Sequence, residues 1–391
     1  MRRCLDTMAE KVRDLERAHG VLDENMKRLH GIAVDLGIEI FGGKGLGANV
    51  GYEDRTVRDF NDIDLFVRTC ADGWRVSRIL REEFGYVYQD NELPWFKYDE
   101  DEDLLYGQIN LVAPAGSPDF LNVDIHFGDY SVRHCARLGL TDTLPFSPPG
   151  LHIVAPEENL ACIVNNAAGD YFVTAKDTND LLTALSRPSF AADRLTARLR
   201  RAHLQGFFGY LVTTLRASSA LTAQQETALL ALRPARTLEP SPLPDRPDWS
   251  RRCIGTTVHA FSTGRARGLL PAVRLAADAF SYYRRRLTLS VVQPEHETSI
   301  RPVSFNPWTC VRLVPVDLAR SLLPDDVSSP PSAPAAAGAG AGVRMAEDPD
   351  IERFDTASGS YLRVGEEFFV ATVSYELSRG VIARVVAAAA S

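Results

Sequence analysis

The chain has no CxxC pair. Its six cysteines (Cys4, Cys70, Cys135, Cys162, Cys253 and Cys310) are scattered, which excludes a zinc ribbon or a disulfide scaffold. No apolar run approaches the length of a bilayer span. Arg2 and Arg3 open the sequence without the apolar stretch of a secretory signal, so the expectation is a soluble, cytoplasmic protein with no membrane partner. An excess of basic charge is lacking as well. The formal net charge is -8, which argues against a main role in gripping a nucleic-acid backbone. The basic stretches Arg198 to Arg201 and Arg284 to Arg286 read as solvated helix faces. Lysine is scarce: Lys11, Lys27, Lys44, Lys97 and Lys176 are all there are, and 38 of the 43 basic residues are arginine. An ammonium is a compact point charge that arginine does not replace, so a lysine kept in a suggestive segment carries weight. No internal repeat is evident.

What is present is ordinary globular material, 45% hydrophobic and 24% charged over 391 residues. That length suits two domains or one domain with large additions. Apolar residues at helical spacing predict a helix over 8–36, with Gly37 as its C-cap. Ile38 to Phe41 reads as a short strand, Gly42 to Gly47 as a glycine-rich turn and Leu46 to Tyr52 as a short helix. Strands are expected at 62–68, 86–89, 95–98, 104–112 and 120–127, with a helix at 74–84 and an acidic hairpin tip at 99–103. From Pro156 the character turns helical, with helices at 157–168, 175–186, 191–218 and 222–232. Residues 233–249 hold five prolines and read as a linker. Further helix is expected over 258–286 and strands at 287–292 and 310–316. The Ser/Pro/Ala/Gly-rich stretch 324–345 reads as a disordered linker. Strands at 361–364 and 367–375 and a terminal helix follow. The fold class is α+β.

The informative cluster is Phe41-Gly42-Gly43-Lys44-Gly45, then Arg58 to Val67 containing Asp62-Ile63-Asp64, then Val123-Asp124-Ile125-His126. Residues two apart on a strand share a face, so Asp62 and Asp64 project together while Ile63 and Leu65 face a core. Adjacent carboxylates repel unless a cation lies between them. A third at Asp124 makes the group attractive to a hard divalent ion that leaves a face open for phosphates. The chemistry suggested is metal-assisted phosphoryl or nucleotidyl transfer.

These elements, in this order, resemble the polymerase-β-like nucleotidyltransferase superfamily, and within it the bacterial families with a Lys-Gly turn, an arginine before Asp-x-Asp and a later Asp-x-His strand. The resemblance spans about residues 20–190. The spacer from Gly43 to Asp62 is longer than in minimal members, and its extra residues are expected to form a short helix. The resemblance implies a mixed-sheet catalytic domain over 1–150 and a helical domain over 151–232 closing the nucleotide cleft. Outside it, 250–323 reads as an uncharacterised helical or mixed region, and 346–391, after the linker, as a small C-terminal α/β segment. It implies Mg²⁺ or Mn²⁺ on Asp62, Asp64 and Asp124, with Asp124 also a proton acceptor. It implies ATP or another NTP held by Gly42, Gly43, Lys44, Arg58 and Lys176. Lys176-Asp177 with Asp180-Leu181 resembles a helical element of related enzymes. The acceptor is expected to be a small molecule or a protein side chain, with nucleic acid disfavoured by the acidic charge.

Plainer readings stand beside these. Asp62 and Asp64 suit a solvated strand face. Lys44 suits a turn lysine in water and Lys176 an exposed helix start. Arg58 either meets phosphate or pairs with Asp59 or Asp62. His126 is a metal neighbour, a base or a buried histidine; His134, His152 and His259 read as structural. Two rival functions remain open. A DxD glycosyltransferase requires a nucleotide-binding half upstream, but only 61 residues precede Asp62. A catalytically inert nucleotide-binding module is expected to have lost one of the three carboxylates.

Overall fold

The computed structural model describes residues 2–54, 58–60, 62–89, 93–99, 101–132, 135–140, 143–146, 151–218, 221–232, 249–289, 307, 310–315, 343–344, 351–356, 359–365 and 367–372. In chain order the elements are α1 (Arg2–Leu36), β1 (Phe41–Gly42), α2 (Lys44–Asn49), β2 (Asp62–Val67), α3 (Cys70–Phe84), β3 (Val87–Tyr88), β4 (Trp95–Asp99), β5 (Leu104–Val112), β6 (Asn122–Phe127), β7 (Thr143–Phe146) and β8 (Leu151–Val154). Helices α4 (Pro156–Asp170), α5 (Ala175–Leu185), α6 (Ala192–Arg201), α7 (Gln205–Ser218), α8 (Ala223–Ala231), α9 (Trp249–Arg265) and α10 (Leu269–Leu289) follow. The chain then forms β9 (Val311–Pro315), β10 (Val343–Arg344), β11 (Ile351–Thr356), β12 (Gly359–Val364) and β13 (Glu367–Thr372). Two compact units result. The first is Met1–Phe66, Ala115–Val123 and Asp129–Leu287; the second is Val67–Pro114, Asp124–Gly128 and Thr288–Ser391.

In the first unit, α1 buries Leu22, Met26, Leu29, Ile32 and Ala33 along one stripe, the spacing of an amphipathic helix. It stops at Gly37, whose φ of 65° suits glycine. The N–H of Gly37 bonds the Val34 carbonyl at 3.2 Å and that of Ile38 the Ala33 carbonyl at 3.0 Å, the Schellman pattern. The sheet is mixed: β1 runs antiparallel to β2 and parallel to β8, and β7 closes the far side antiparallel to β8. Helices α4 to α8 pack a continuous core with Phe41, Phe66 and Tyr130. Each fully buried aromatic or leucine there contributes roughly 1.5–3 kcal/mol relative to exposure.

The second unit is an antiparallel sheet with α3. The β4–β5 hairpin pairs Trp95 with Gln108 through Asp99 with Leu104, and its tip at 101–103 is the expected acidic turn. On the other edge of β4 comes β9 (Phe96 opposite Val311), then β13, β12, β11 and β10 in order. Trp74 of α3 meets Phe127 at 5.8 Å and Phe369 of β13 at 5.3 Å, both edge-on, an arrangement favoured by ring quadrupoles.

Several expected elements differ. Residues 191–218 form two helices, because the chain turns at His203, whose φ is 55°. The strand expected from Leu287 is helix as far as Leu289. Helix α2 starts at Lys44, inside the expected turn. Val343 and Arg344, inside the expected linker, pair with β11. Arg198 is not a solvated charge: it pairs with the buried Glu158 carboxylate and donates to the Gly139 carbonyl at 3.1 Å. The side chains of Arg284 to Arg286, His134, the 233–248 linker, most of 324–345 and the terminal helix lie outside the described residues. Cys70, Cys135, Cys162, Cys253 and Cys310 are buried.

His259 of α9 is 1% exposed and stands 6.2 Å from the Phe207 ring. Burial, reinforced by the charge of His203, pushes its pKa down to about 4, whereas an unfolded histidine titrates near 6.5. Protonation therefore favours the unfolded chain. Stability is full above about pH 6.5 and falls by about 1.4 kcal/mol per unit as pH drops toward 4. Urea denaturation at pH 7.5 and 4.5 should show a smaller acid loss for His259→Phe than for wild type; equal losses contradict this account.

Candidate functional site

The site is built on β2 and the two segments that feed it. Asp62 is partly buried and Asp64 is 4% exposed, and the strand is buried from Ile63 to Val67. The solvated-face reading therefore fails for Asp64. A buried carboxylate is costly unless it is compensated. Its compensation is Lys44, whose Nζ lies 2.5 Å from Asp64 Oδ1 and 6.0 Å from the centre of the Tyr130 ring. Lys44 is not a lysine in water: it is mostly enclosed.

The glycine turn has a packing reason. A Cβ on Gly42 would sit 2.2 Å from Leu46 Cδ2, and one on Gly43 2.1 Å from the buried Phe66 ring. The Gly43 N–H bonds the Asp64 carbonyl at 3.0 Å, which extends the β1–β2 pairing past the strand end and fixes the turn against the acid-bearing strand. Within Gly42 to Gly45 only Lys44 adopts a left-handed backbone, with φ 45°. That conformation costs a residue with a Cβ on the order of 1 kcal/mol. The Lys44 carbonyl accepts from Asn159 Nδ2 of α4 at 3.0 Å.

Arg58 is buried and forms a two-pronged pair with Asp180 of α5: Nε to Oδ1 at 2.9 Å and Nη2 to Oδ2 at 2.8 Å. It also donates to the Asp59 carbonyl, and its own carbonyl accepts from His19 Nε2 at 3.0 Å. The carboxylate expected beside it was Asp59 or Asp62; the structure supplies Asp180. Tyr52 donates to the same carboxylate at 2.7 Å. Burial first, and that hydrogen bond second, push the Tyr52 hydroxyl well above its usual range. Asp180 thus ties the segment before β2 to α5. Its pairing with Arg58 was missed because the partners are 122 residues apart; the sequence marked Asp180 only as part of the helical element that starts at Lys176.

Lys176 is the second residue of helix α5. Thr174 caps it, accepting from the Asp177 N–H at 3.1 Å, while Asp177 accepts from the Thr174 N–H at 2.9 Å. A cation in the first turn opposes the helix dipole, so Lys176 is not there to stabilise α5. Four of these charges act on Asp62. Burial first and Asp64 second raise its pKa; Lys44, Lys176 and Arg58 pull it back. The first unit thus brings Asp62, Asp64, Lys44, Lys176 and Arg58 into one electrostatic group.

Asp124 and His126 belong to the second unit. They alternate on β6 with the buried Val123, Ile125 and Phe127, as the period-2 reading requires. Gln108 Nε2 of β5 donates to Asp124 Oδ2 at 3.0 Å, and His126 is buried. His152 sits on β8 opposite Phe41.

No protein-family profile matches the chain, and no curated protein does. Among solved structures the chain is similar to an antigenic nucleotidyltransferase-like protein from Paracoccidioides brasiliensis. The identity is 14%, the match covers 57% of this chain and 96% of the other, and the TM-score is 0.26. The functional reading rests on the residues themselves.

The two-pronged Arg58–Asp180 pair yields a direct expectation. Asp180→Asn leaves a buried guanidinium short of its counter-charge and should lower stability by about 3–5 kcal/mol, read as a drop in the urea midpoint. Arg58→Lys should not restore wild-type stability, since a point charge cannot bridge both oxygens. A neutral Asp180→Asn would show that the pair is not what anchors α5.

Proposed function

We propose that the chain is a metal-dependent nucleotidyltransferase that moves a nucleoside monophosphate, AMP from ATP in the first instance, to a hydroxyl, amine or carboxylate of a small molecule or protein, releasing pyrophosphate. The observation that carries the reading is the charge arrangement on β2: two carboxylates two residues apart, one buried, with Lys44 on one of them and Lys176 and Arg58 acting on the other. Alternating acids and ammonium groups suit a cation and a polyphosphate together.

The donor chemistry of the first unit fits a hard divalent ion, because Asp62 and Asp64 both offer carboxylate oxygens. The electrostatic strain on Asp62, from burial and from Asp64, is of the kind that a bound cation relieves. Mg²⁺ or Mn²⁺ bound there would supply charge neutralisation at the α-phosphorus and ease the departure of pyrophosphate. The protein's own groups do the rest. Lys44 and Lys176 neutralise the β- and γ-phosphates as point charges. Arg58, committed to Asp180, ties the segment before β2 to the middle of α5. Asp124, held by Gln108, takes the proton of the attacking group. The acceptor oxygen or nitrogen bonds to the α-phosphorus as the α–β phosphoanhydride bond breaks, and the electron pair leaves with pyrophosphate.

Calorimetric titration with the four non-hydrolysable NTPs, in Mg²⁺ and in EDTA, tests the reading. One NTP should bind in Mg²⁺ only, and binding should fall at least about a hundredfold in Asp62→Asn/Asp64→Asn, since removing charged ligands costs several kcal/mol. Absence of binding by every NTP in both conditions overturns the proposal. Nucleotide-sugar binding in its place would favour glycosyl transfer.

A further inference from the structure

Four consecutive residues, Gly42 to Gly45, form the turn that leads into α2, and three are glycine. The left-handed backbone falls on the one that is not, Lys44, at φ 45°. Glycine would occupy that conformation without strain, and glycine is what the neighbouring positions carry. The lysine therefore stays at a conformational cost of about 1 kcal/mol, which implies that its side chain is needed. Its ammonium sits 2.5 Å from a carboxylate oxygen of Asp64, which is 4% exposed, while the lysine side chain keeps 18% of its own exposure. An ammonium so placed does electrostatically what a divalent cation does: it neutralises the buried member of the Asp62/Asp64 pair.

We propose that Lys44 is a built-in counter-ion that holds the cation position on Asp64 until a metal–nucleotide complex arrives, and then transfers its Nζ from Asp64 to the triphosphate. The inference rests on the nucleotidyltransferase reading and adds to it a rule for the order of binding. Metal alone must break the close Lys44–Asp64 pair without offering the ammonium new phosphate oxygens in exchange, so metal alone binds weakly. Metal with triphosphate provides both exchanges at once: the carboxylate gains the metal and the ammonium gains phosphate oxygens. Metal and nucleotide should therefore bind with positive coupling, and the coupling is reciprocal. The partly exposed lysine stem and its position at the first residue of α2 leave the ammonium a path toward a ligand without unfolding the strand that carries Asp64.

The probes are Mn²⁺ alone and Mn²⁺ with α,β-methylene-ATP, on the full chain. Binding is read by electron paramagnetic resonance of free Mn²⁺ and by the shift in melting temperature. Wild type should bind Mn²⁺ alone weakly and at least about tenfold more tightly with the nucleotide, a coupling of about 1.4 kcal/mol. Lys44→Met keeps the length and the strained backbone but removes the charge. It should bind Mn²⁺ alone at least about tenfold more tightly than wild type, gain a larger Mn²⁺-induced melting shift, and lose the coupling. Lys44→Arg, which keeps the charge, should remain weak for Mn²⁺ alone.

Equal Mn²⁺ affinity in wild type and Lys44→Met, with binding still abolished by Asp62→Asn/Asp64→Asn, overturns the counter-ion role and leaves the transferase reading standing. Mn²⁺ binding that neither Asp substitution affects, or none in any variant with or without nucleotide, overturns both. Should Lys44→Met not fold, the wild-type comparison of Mn²⁺ with and without nucleotide still decides, since uncoupled binding contradicts the exchange.

Discussion

The first unit is organised around the cost of burying like charges on one strand. Asp62 and Asp64 share a face of β2, and Asp64 is almost wholly enclosed. A carboxylate removed from water needs a counter-charge within a few ångströms, or it takes up a proton instead. Lys44 provides that charge for Asp64 from a turn whose geometry disfavours it. Lys176 provides part of it for Asp62 from the end of a helix where a cation is disfavoured. Each is a local compromise that makes sense only in relation to β2.

The scaffold around these charges is correspondingly tight. Gly42 and Gly43 leave room for Leu46 and the Phe66 ring, so the turn cannot drift from the strand. The Gly43 N–H on the Asp64 carbonyl locks the two backbones together. Asn159 of α4 holds the Lys44 carbonyl, and Asp180 of α5 gathers Arg58 and Tyr52. Three separate stretches of chain thus fix the directions of the charged groups. Such fixed charges lose little reorganisation energy when a charged substrate meets them.

The second unit obeys a different constraint. Its sheet begins as the β4–β5 hairpin and is widened by β9 and the strands after it. An exposed strand edge is a template for unwanted pairing, and here β9 covers the edge of β4. Trp74 then finds its aromatic partner on β13, nearly three hundred residues later. Local sequence around Trp74 holds no sign of that partner.

The contrast marks what could be read directly. Helix α1 and its Gly37 cap, the start of α4 at Pro156, the acidic hairpin tip, and the alternation of Asp62/Asp64 and Asp124/His126 were legible, because helical and strand periodicities and glycine's backbone freedom act over a few residues. The scarcity of lysine pointed to Lys44 and Lys176 by composition alone. Arg58 was visible as a charge but not its partner Asp180, and Arg198 was read as solvated because Glu158 lies 40 positions away. The breaks at His203 and at Lys44 were hidden too, since a left-handed backbone at a non-glycine residue is imposed by surrounding packing. By itself, then, the sequence determined which residues carry charge and which way each strand presents them. Only the tertiary structure decided which charges meet and which are buried, because ion pairing and desolvation depend on distances between segments that the chain order does not contain.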